Sequence, residues 1–254
     1  MSEGRDGLRV ACVQFRGDTA TVTVSRQRLA ALVRVAAVEA DLVVLPELAA
    51  TGYAFADEEE AGAVAEGRDG PAMTTLAPIA AEHGCWIVVG VIERDGGGLY
   101  NSAWIIDPSG ELHGVYRKTL LYEADEAWAR PGDSGYLVFE VGGVRVGVGI
   151  CMDLNDDAFV DWLRTAAIDV LAFPTNWVYE GTIDTWAYWW FRLMDVPVAL
   201  VAANTWGTEA GVRYTGRSLI LSVDRRVLAA GPEVGNGVLR ATLRVPGGSG
   251  PLGS

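Results

Sequence analysis

The chain has 254 residues and a mass of 27.1 kDa; half of its residues are hydrophobic, and its formal net charge is −13. This length suits one large α/β domain, since such domains commonly run to roughly 250 residues. The 33 acidic and 20 basic residues include no cluster of Lys or Arg that could neutralise several phosphates, so nucleic acid and anionic membranes are poor partners. No apolar run reaches the roughly 18 residues of a membrane helix.

The termini and the cysteines bear on location and domain organisation. The chain opens with charges of both signs and no apolar signal region, which predicts a cytoplasmic protein. Cys12, Cys85 and Cys151 are widely separated and odd in number, which favours a reducing compartment over a disulfide framework. We expect a single domain over residues 1–245, followed by a disordered Gly/Ser-rich tail at 246–254 of the kind that an expression vector adds.

Short β-branched segments bounded by Gly, Pro or Asp predict strands, and the longer periodic segments between them predict helices. In chain order the predicted strands are Leu8–Phe15, Asp41–Leu45, Cys85–Ile92, Tyr100–Ile106, Val138–Glu140, Val144–Ile150, Val170–Phe173, Val198–Ala203, Ser218–Val223 and Val238–Leu243. The predicted helices are Val24–Glu39, Ala72–His83, Ala158–Ala167 and Thr182–Met194. Hairpin turns are expected at 107–110 and near 224, among parallel crossovers, so we expect a layered α/β sandwich with mixed parallel and antiparallel sheets.

Three polar residues each stand at the end of a predicted strand. Glu47 follows DLVVLP, Lys118 closes GVYRK, and Cys151 follows VRVGVGI. Taken singly, these residues are most often a solvated acid, a surface lysine and a buried small hydrophobe. Taken together, a carboxylate, an ammonium and a thiol supply the base, oxyanion clamp and nucleophile that hydrolyse a carbon–nitrogen bond through a thioester.

The stretch DLNDD after Cys151 offers several N-caps for the helix expected near Ala158. It therefore predicts a thiol close to a helix N-terminus, which favours the thiolate. We expect a substrate pocket to be lined by Tyr53, beyond Glu47, and by Asn176 and Trp177, which follow a strand.

Several other classes of enzyme lack the residues that they need. The only histidines, His83 and His113, fall at a helix end and in a hairpin, so neither a Cys–His protease nor a zinc set is indicated. Neither a Gly-x-Ser-x-Gly elbow nor a phosphate-binding Gly-x-x-x-x-Gly-Lys loop occurs. We expect no metal and no cofactor.

The segments LPELAATGY, YRKTLLYEADEAWARPGD and GVGICMDL resemble the Glu, Lys and Cys segments of the nitrilase superfamily of carbon–nitrogen hydrolases. The likeness extends over roughly residues 8–228 and includes FPTNW after the next strand. It implies a four-layer α-β-β-α sandwich, with Glu47 as general base, Lys118 as oxyanion stabiliser and Cys151 as nucleophile. The backbone N–H of Met152 would join Lys118 at the oxyanion, and Glu126, eight residues after the lysine, would orient Lys118 or the substrate amide.

The resemblance also bears on substrate and assembly. Cys-Met-Asp differs from the Cys-Trp-Glu of true nitrilases, which favours a small-molecule primary amide over a nitrile, and Leu120 replaces a frequent histidine. CMDLN is similar to the corresponding run of protein N-terminal amidases, so terminal Asn or Gln remains an alternative substrate. N-carbamoyl substrates, acyl transfer and a non-catalytic binding module also remain open. Relatives assemble through helices near the nucleophile, which implies a homodimer or a higher homo-oligomer.

Overall fold

The computed structural model describes residues 7–179, 181 and 183–244, so the predicted tail at 246–254 lies outside the described residues. The strands are β1 Leu8–Gln14, β2 Leu42–Val44, β3 Trp86–Asp95, β4 Gly98–Ile106, β5 Leu112–Arg117, β6 Val138–Val141, β7 Val144–Val148, β8 Val170–Thr175, β9 Ala199–Asn204, β10 Trp206–Glu209, β11 Val212–Thr215, β12 Leu219–Leu221, β13 Val227–Ala230 and β14 Gly237–Leu243. The helices are α1 Val22–Ala37, α2 Glu58–Val64, α3 Pro71–His83, α4 Glu123–Glu126, α5 Asp157–Thr165 and α6 Thr185–Arg192. Short 3₁₀ turns cover Thr19–Thr21 and Cys151–Asn155.

The strands form two six-stranded mixed sheets and one separate hairpin. The first sheet has the order β14-β1-β2-β3-β4-β5 and the second β13-β12-β9-β8-β7-β6. Each sheet has three parallel strands at its centre, β1-β2-β3 and β7-β8-β9, and antiparallel pairs at its edges. The hairpins predicted at 107–110 and near 224 are the pairs β4–β5 and β12–β13.

Three buried clusters divide the molecule into layers. Apolar side chains of both sheets meet between them, including Val10, Val44, Val88, Val146, Ala172 and Val201. The outer face of the first sheet packs on α1 and α3, and that of the second sheet packs on α5 and α6. Strand β2 illustrates the period of two, because Leu42 and Val44 face the other sheet whereas Val43 faces the helices. The predicted α-β-β-α sandwich is confirmed.

The two helices that pack on the second sheet each begin at an aspartate that caps the helix N-terminus. Asp156 accepts from the backbone N–H of Ala158 at the start of α5, and Asp184 accepts from that of Ala187 in α6. Helix α5 turns Phe159 and other apolar residues inward. Gly149, just after β7, is necessary for this packing, because a Cβ there would lie 2.3 Å from the Phe159 ring.

Several short elements were not predicted, among them α2, α4 and the hairpin β10–β11. That hairpin turns at Ala210 and Gly211, which have φ values of 45° and 81°, as a tight hairpin requires. Its strands have four residues each and are mostly polar or half-buried, so they carry little hydrophobic periodicity. Among the described residues, no helix is long and apolar enough to cross a membrane.

Candidate active site

Glu47 lies on a loop that crosses the middle of β3, at Gly90, at very short range. The backbone N–H of Gly90 donates to the carbonyl of Pro46 at 3.2 Å. A Cβ on Gly90 would lie 2.3 Å from the nitrogen of Leu48 and 2.6 Å from the Cα of Glu47. Glycine is therefore required at position 90 if the glutamate loop is to keep its path.

The Glu47 carboxylate is buried and is held by three donors. Its Oε1 accepts from Lys118 Nζ and from Asn101 Nδ2, both at 2.7 Å. Its Oε2 accepts from the backbone N–H of Asn176 at 2.9 Å, while Asn176 Nδ2 donates to the carbonyl of Glu47 at 2.8 Å. These contacts fix the carboxylate between strands of both sheets.

Lys118 follows β5, is fully buried, and lies between two carboxylates. Its Nζ donates to Glu47 and, at 2.5 Å, to Oδ2 of Asp125 in helix α4. Burial lowers the pKa of the lysine, but the charges of Asp125 and Glu47 outweigh it and raise the pKa well above its ordinary value. The ammonium therefore stays charged in a dry environment.

The contact that the sequence predicted for Glu126 is made by its neighbour. Asp125 is buried, contacts Lys118, and also accepts from Asn101 Nδ2 at 3.3 Å. Glu126, the next residue of the short helix α4, is exposed. Successive residues of a helix point in directions about 100° apart, so a spacing of seven rather than eight from the lysine decides which carboxylate turns inward.

Cys151 begins the 3₁₀ turn and has a strained backbone, with φ at 42°. Its side chain is buried, and only 9% of the residue is exposed. Burial, followed by the negative charge of Glu47, raises the pKa of the thiol, and Lys118 opposes this only in part. The helix expected near Ala158 is α5, which begins at Asp157, but burial and the charge of Glu47 outweigh its N-terminus, so the structure favours a neutral thiol over the predicted thiolate.

The same environment acts on Glu47. Burial raises the pKa of this carboxyl, the Lys118 ammonium lowers it, and the Asp125 charge raises it again. A thiol and a carboxyl whose pKa values are both raised are suited to exchanging one proton.

The other residues predicted to bind substrate lie around this centre. Tyr53 is 5% exposed; burial and then the charges of Glu47, Asp125 and Cys151 raise the pKa of its phenol, which places it beside them. Met152 is half-buried, and its Sδ accepts from Asn155 Nδ2 at 3.0 Å. Trp177 packs against the rings of Tyr188 and Trp189, with centroids 5.5 and 5.6 Å away.

Sequence reasoning missed four residues of this region: Asn101, Asp125, Glu209 and Tyr214. The Tyr214 ring meets that of Tyr53 edge-on at 5.7 Å, and Glu209 accepts from the backbone N–H of Tyr53 at 3.2 Å. Both belong to the hairpin β10–β11, which forms a wall beside Tyr53. The sequence does carry one further signal for the site, because Lys118 is the only lysine in a chain that otherwise uses arginine.

The site offers nothing to hold a metal. Within 7–179, 181 and 183–244, no group of three or more His, Cys, Asp or Glu side chains could bind a metal ion. What the arrangement can do is transfer a proton between a thiol and a carboxylate beside a fixed ammonium.

The structure is thus a layered α-β-β-α sandwich that holds a buried Glu, Lys and Cys at one end of its two sheets. The family model described as carbon–nitrogen hydrolase matches residues 9–247, so this chain belongs to that family. It falls in the amidase-type branch of the nitrilase superfamily, as the sequence resemblance predicted.

Relatives span most of the chain. It is 38% identical to a nitrilase of Pyrococcus abyssi over 198 residues, covering 76% of this chain and 73% of the relative. It is 30% identical to the 2-oxoglutaramate amidase of Bacillus subtilis, covering 92% and 90%. An amidase from Nesterenkonia sp. has a similar fold, with a TM-score of 0.79 at 22% identity over 94% and 92% of the two chains.

Proposed function

We propose that this carbon–nitrogen hydrolase converts a primary amide to a carboxylic acid and ammonia through a thioester on Cys151. The observation that carries the proposal is the buried Lys118 ammonium, which is held between the carboxylates of Glu47 and Asp125 beside the thiol. An ammonium fixed in this way meets a developing oxyanion without reorganisation.

Glu47 takes the thiol proton as sulfur attacks the amide carbon, and the carbonyl oxygen becomes an oxyanion between Lys118 and the N–H of Met152. When the C–N bond breaks, Glu47 returns that proton to the departing nitrogen and ammonia leaves. Glu47 then removes a proton from water, which attacks the thioester, and the acid and free thiol are released. The raised pKa values of the thiol and the carboxyl support this shuttle, since the anionic form of each group accepts a proton readily.

Tyr53, Met152 and Trp177 line the substrate side of the centre in this proposal. The side chain and the backbone N–H of Asn176 both bind Glu47, so we assign this residue the role of holding the base. Asp125 replaces Glu126 as the residue that orients Lys118.

An amide is favoured over a nitrile because Cys-Met-Asp replaces the Cys-Trp-Glu of true nitrilases. In variants of the Nesterenkonia amidase, acrylamide and the acetamide moiety of fluoroacetamide add to the active-site cysteine. Other relatives are named for further C–N bonds: a protein N-terminal amidase of Schizosaccharomyces pombe, 25% identical, and an N-carbamoylputrescine amidase of Solanum lycopersicum, 29% identical.

The test is ammonia release by the enzyme and by Cys151→Ala from primary amides, N-carbamoyl amino acids, nitriles and peptides with terminal Asn or Gln. We expect Cys151-dependent ammonia from primary amides. Turnover of another class alone would replace the proposed substrate, and undiminished turnover by Cys151→Ala would refute the thioester. Product that forms only with an added amine would indicate acyl transfer, and no thioester with any compound would indicate a binding module.

A further inference from the structure

One buried carboxylate outside the catalytic set joins the lysine segment to the nucleophile segment. Asp153 is fully buried, two residues after Cys151. Its Oδ1 accepts from the backbone N–H of Thr119 at 2.9 Å, from Thr119 Oγ1 at 2.9 Å and from the backbone N–H of Leu120 at 3.0 Å. This oxygen therefore binds the two residues that follow Lys118.

The second oxygen of Asp153 binds the other side. Oδ2 accepts from the backbone N–H of Ile150 at 2.8 Å and from the Tyr116 hydroxyl at 2.7 Å. Ile150 immediately precedes Cys151, and Tyr116 lies two residues before Lys118. All five donors fall within two residues of Lys118 or one residue of Cys151.

We propose that Asp153 is a positioning residue that sets the separation and orientation of Lys118 relative to Cys151. The two segments follow strands of different sheets, β5 of the first and β7 of the second, and the chain between them passes through α4 and β6. A planar carboxylate that binds both segments fixes their distance and holds the strained backbone at Cys151 in place. The consequence for catalysis rests on the proposed function.

The chemistry requires a carboxylate and not merely a polar side chain of that size. Three of the donors are backbone N–H groups, which cannot rotate to become acceptors: Thr119 and Leu120 on one oxygen, and Ile150 on the other. A carboxamide has only one acceptor oxygen. Asp153→Asn must therefore set its NH₂ group against Ile150 or against the lysine turn, and one segment loses its anchor.

The experiment compares the full-length wild type with Asp153→Asn by two independent measurements. One is steady-state hydrolysis of the amide that the wild type turns over best. The other is the rate at which iodoacetamide alkylates Cys151, followed by mass spectrometry; Cys12 and Cys85 are fully buried and do not compete in the folded protein. We expect kcat to fall about 100-fold with little change in KM, and alkylation to slow at least about tenfold.

Two controls separate positioning from loss of stability. Glu66→Gln makes the same change of carboxylate to amide at another buried site, where Glu66 contacts Arg26 and the N–H of Ala72; it should keep kcat and the alkylation rate. Tyr116→Phe removes one rotatable donor and leaves all three backbone donors in place. It should keep kcat within about threefold, because the backbone anchors remain.

Wild-type kcat and alkylation in a folded Asp153→Asn would overturn the proposal, as would an equal loss in Glu66→Gln. If the wild type hydrolyses no amide, the proposed function fails, but the alkylation rates still decide the role of Asp153. Should Asp153→Asn not fold, the double variant Tyr116→Phe/Thr119→Ala decides. It keeps the three backbone anchors and should stay within about threefold of wild type, whereas a loss of about 100-fold would contradict the assignment.

Discussion

The buried group of Lys118, Glu47 and Asp125 contains two acidic side chains and one basic side chain, so its charges do not balance. If Glu47 and Asp125 were both ionised, the group would carry a net charge of −1 with none of the three side chains exposed. Burial and the Asp125 charge therefore raise the pKa of Glu47, while Lys118 limits the rise. In the proposed mechanism this makes Glu47 a base that returns its proton easily, as both halves of a thioester mechanism require.

Replacing the lysine should damage both activity and stability. In Lys118→Met, of similar length, the oxyanion loses its donor and two buried carboxylates lose their counterion. We expect the rate of amide hydrolysis to fall by about 100-fold or more. We also expect the free energy of unfolding, measured in urea, to fall by about 3–5 kcal/mol. The double variant Lys118→Met/Asp125→Asn should recover part of the stability and none of the activity; recovered activity would contradict the role given to the ammonium.

The pH dependence of amide hydrolysis should change when the charge of Asp125 is removed. Since that charge raises the pKa of Glu47, Asp125→Asn lowers it, and Glu47 is then ionised at lower pH. The acid limb of the kcat/KM profile should move to lower pH by about one unit, even though the maximal rate falls. The measurement is the pH–rate profile of both proteins, and a shift of that limb to higher pH would contradict the assignment of Glu47 as base.

At the scale of elements, the path of the glutamate loop depends on how closely it crosses β3. Gly90 leaves no room for a side chain, since the atoms a Cβ would meet are all backbone. Backbone moves only if the loop moves, and the loop carries Glu47. A single methyl group on one strand would therefore change the geometry of the candidate active site.

Gly90→Ala should displace Glu47 and reduce kcat by about 100-fold, because a shift near 1 Å is enough to misalign a catalytic group. Gly114→Ala in β5 is the matched control, since its Cβ would meet only the side chain of Leu137, at 3.1 Å. We expect near-normal activity from that control. Equal activity of the two variants in the ammonia assay would show that the loop can relax without moving the carboxylate.

At the scale of the molecule, the site lies on the boundary between the two sheets. Glu47, Asn101 and Lys118 come from the first sheet, whereas Cys151 and Asn176 follow strands of the second. The packed core between the sheets therefore holds the two halves of the centre together. Activity should be lost whenever the sheets separate, even if each keeps its hydrogen bonds.

The proposed homodimer has a candidate surface on and after α6. Trp190 and Phe191 in α6 and Met194 just after it are 49%, 60% and 61% exposed, and the other side of α6 contacts the turn that begins at Cys151. We expect light scattering to give twice 27.1 kDa for the wild type and a monomer for Phe191→Glu/Met194→Glu, because charges oppose burial of this face. Val35→Glu, 52% exposed on α1, should remain dimeric; a monomeric wild type would refute the prediction.

The cytoplasmic location and the single domain over residues 1–245 stay predictions.

The sandwich fold and the positions of Glu47, Lys118 and Cys151 could be predicted from the sequence, because both depend on patterns within short segments. Strands such as β2 carry a period of two within a few residues, and Glu47, Lys118 and Cys151 each follow a strand in a recognisable segment. Family motifs preserve such segments, so the order of residues along the chain is enough to predict the class of enzyme.

Only the tertiary structure decided which neighbours act on those three residues. Asp125 rather than Glu126 reaches Lys118 because of the angle at which a one-turn helix is set, and Asn101 meets Glu47 across 54 positions of the chain. The state of the Cys151 thiol was also beyond sequence reasoning, since burial and the charge of Glu47 outweigh the nearby helix. Hydrogen bonds, burial and charge depend on distances in space, and these exist only once the two sheets have packed together.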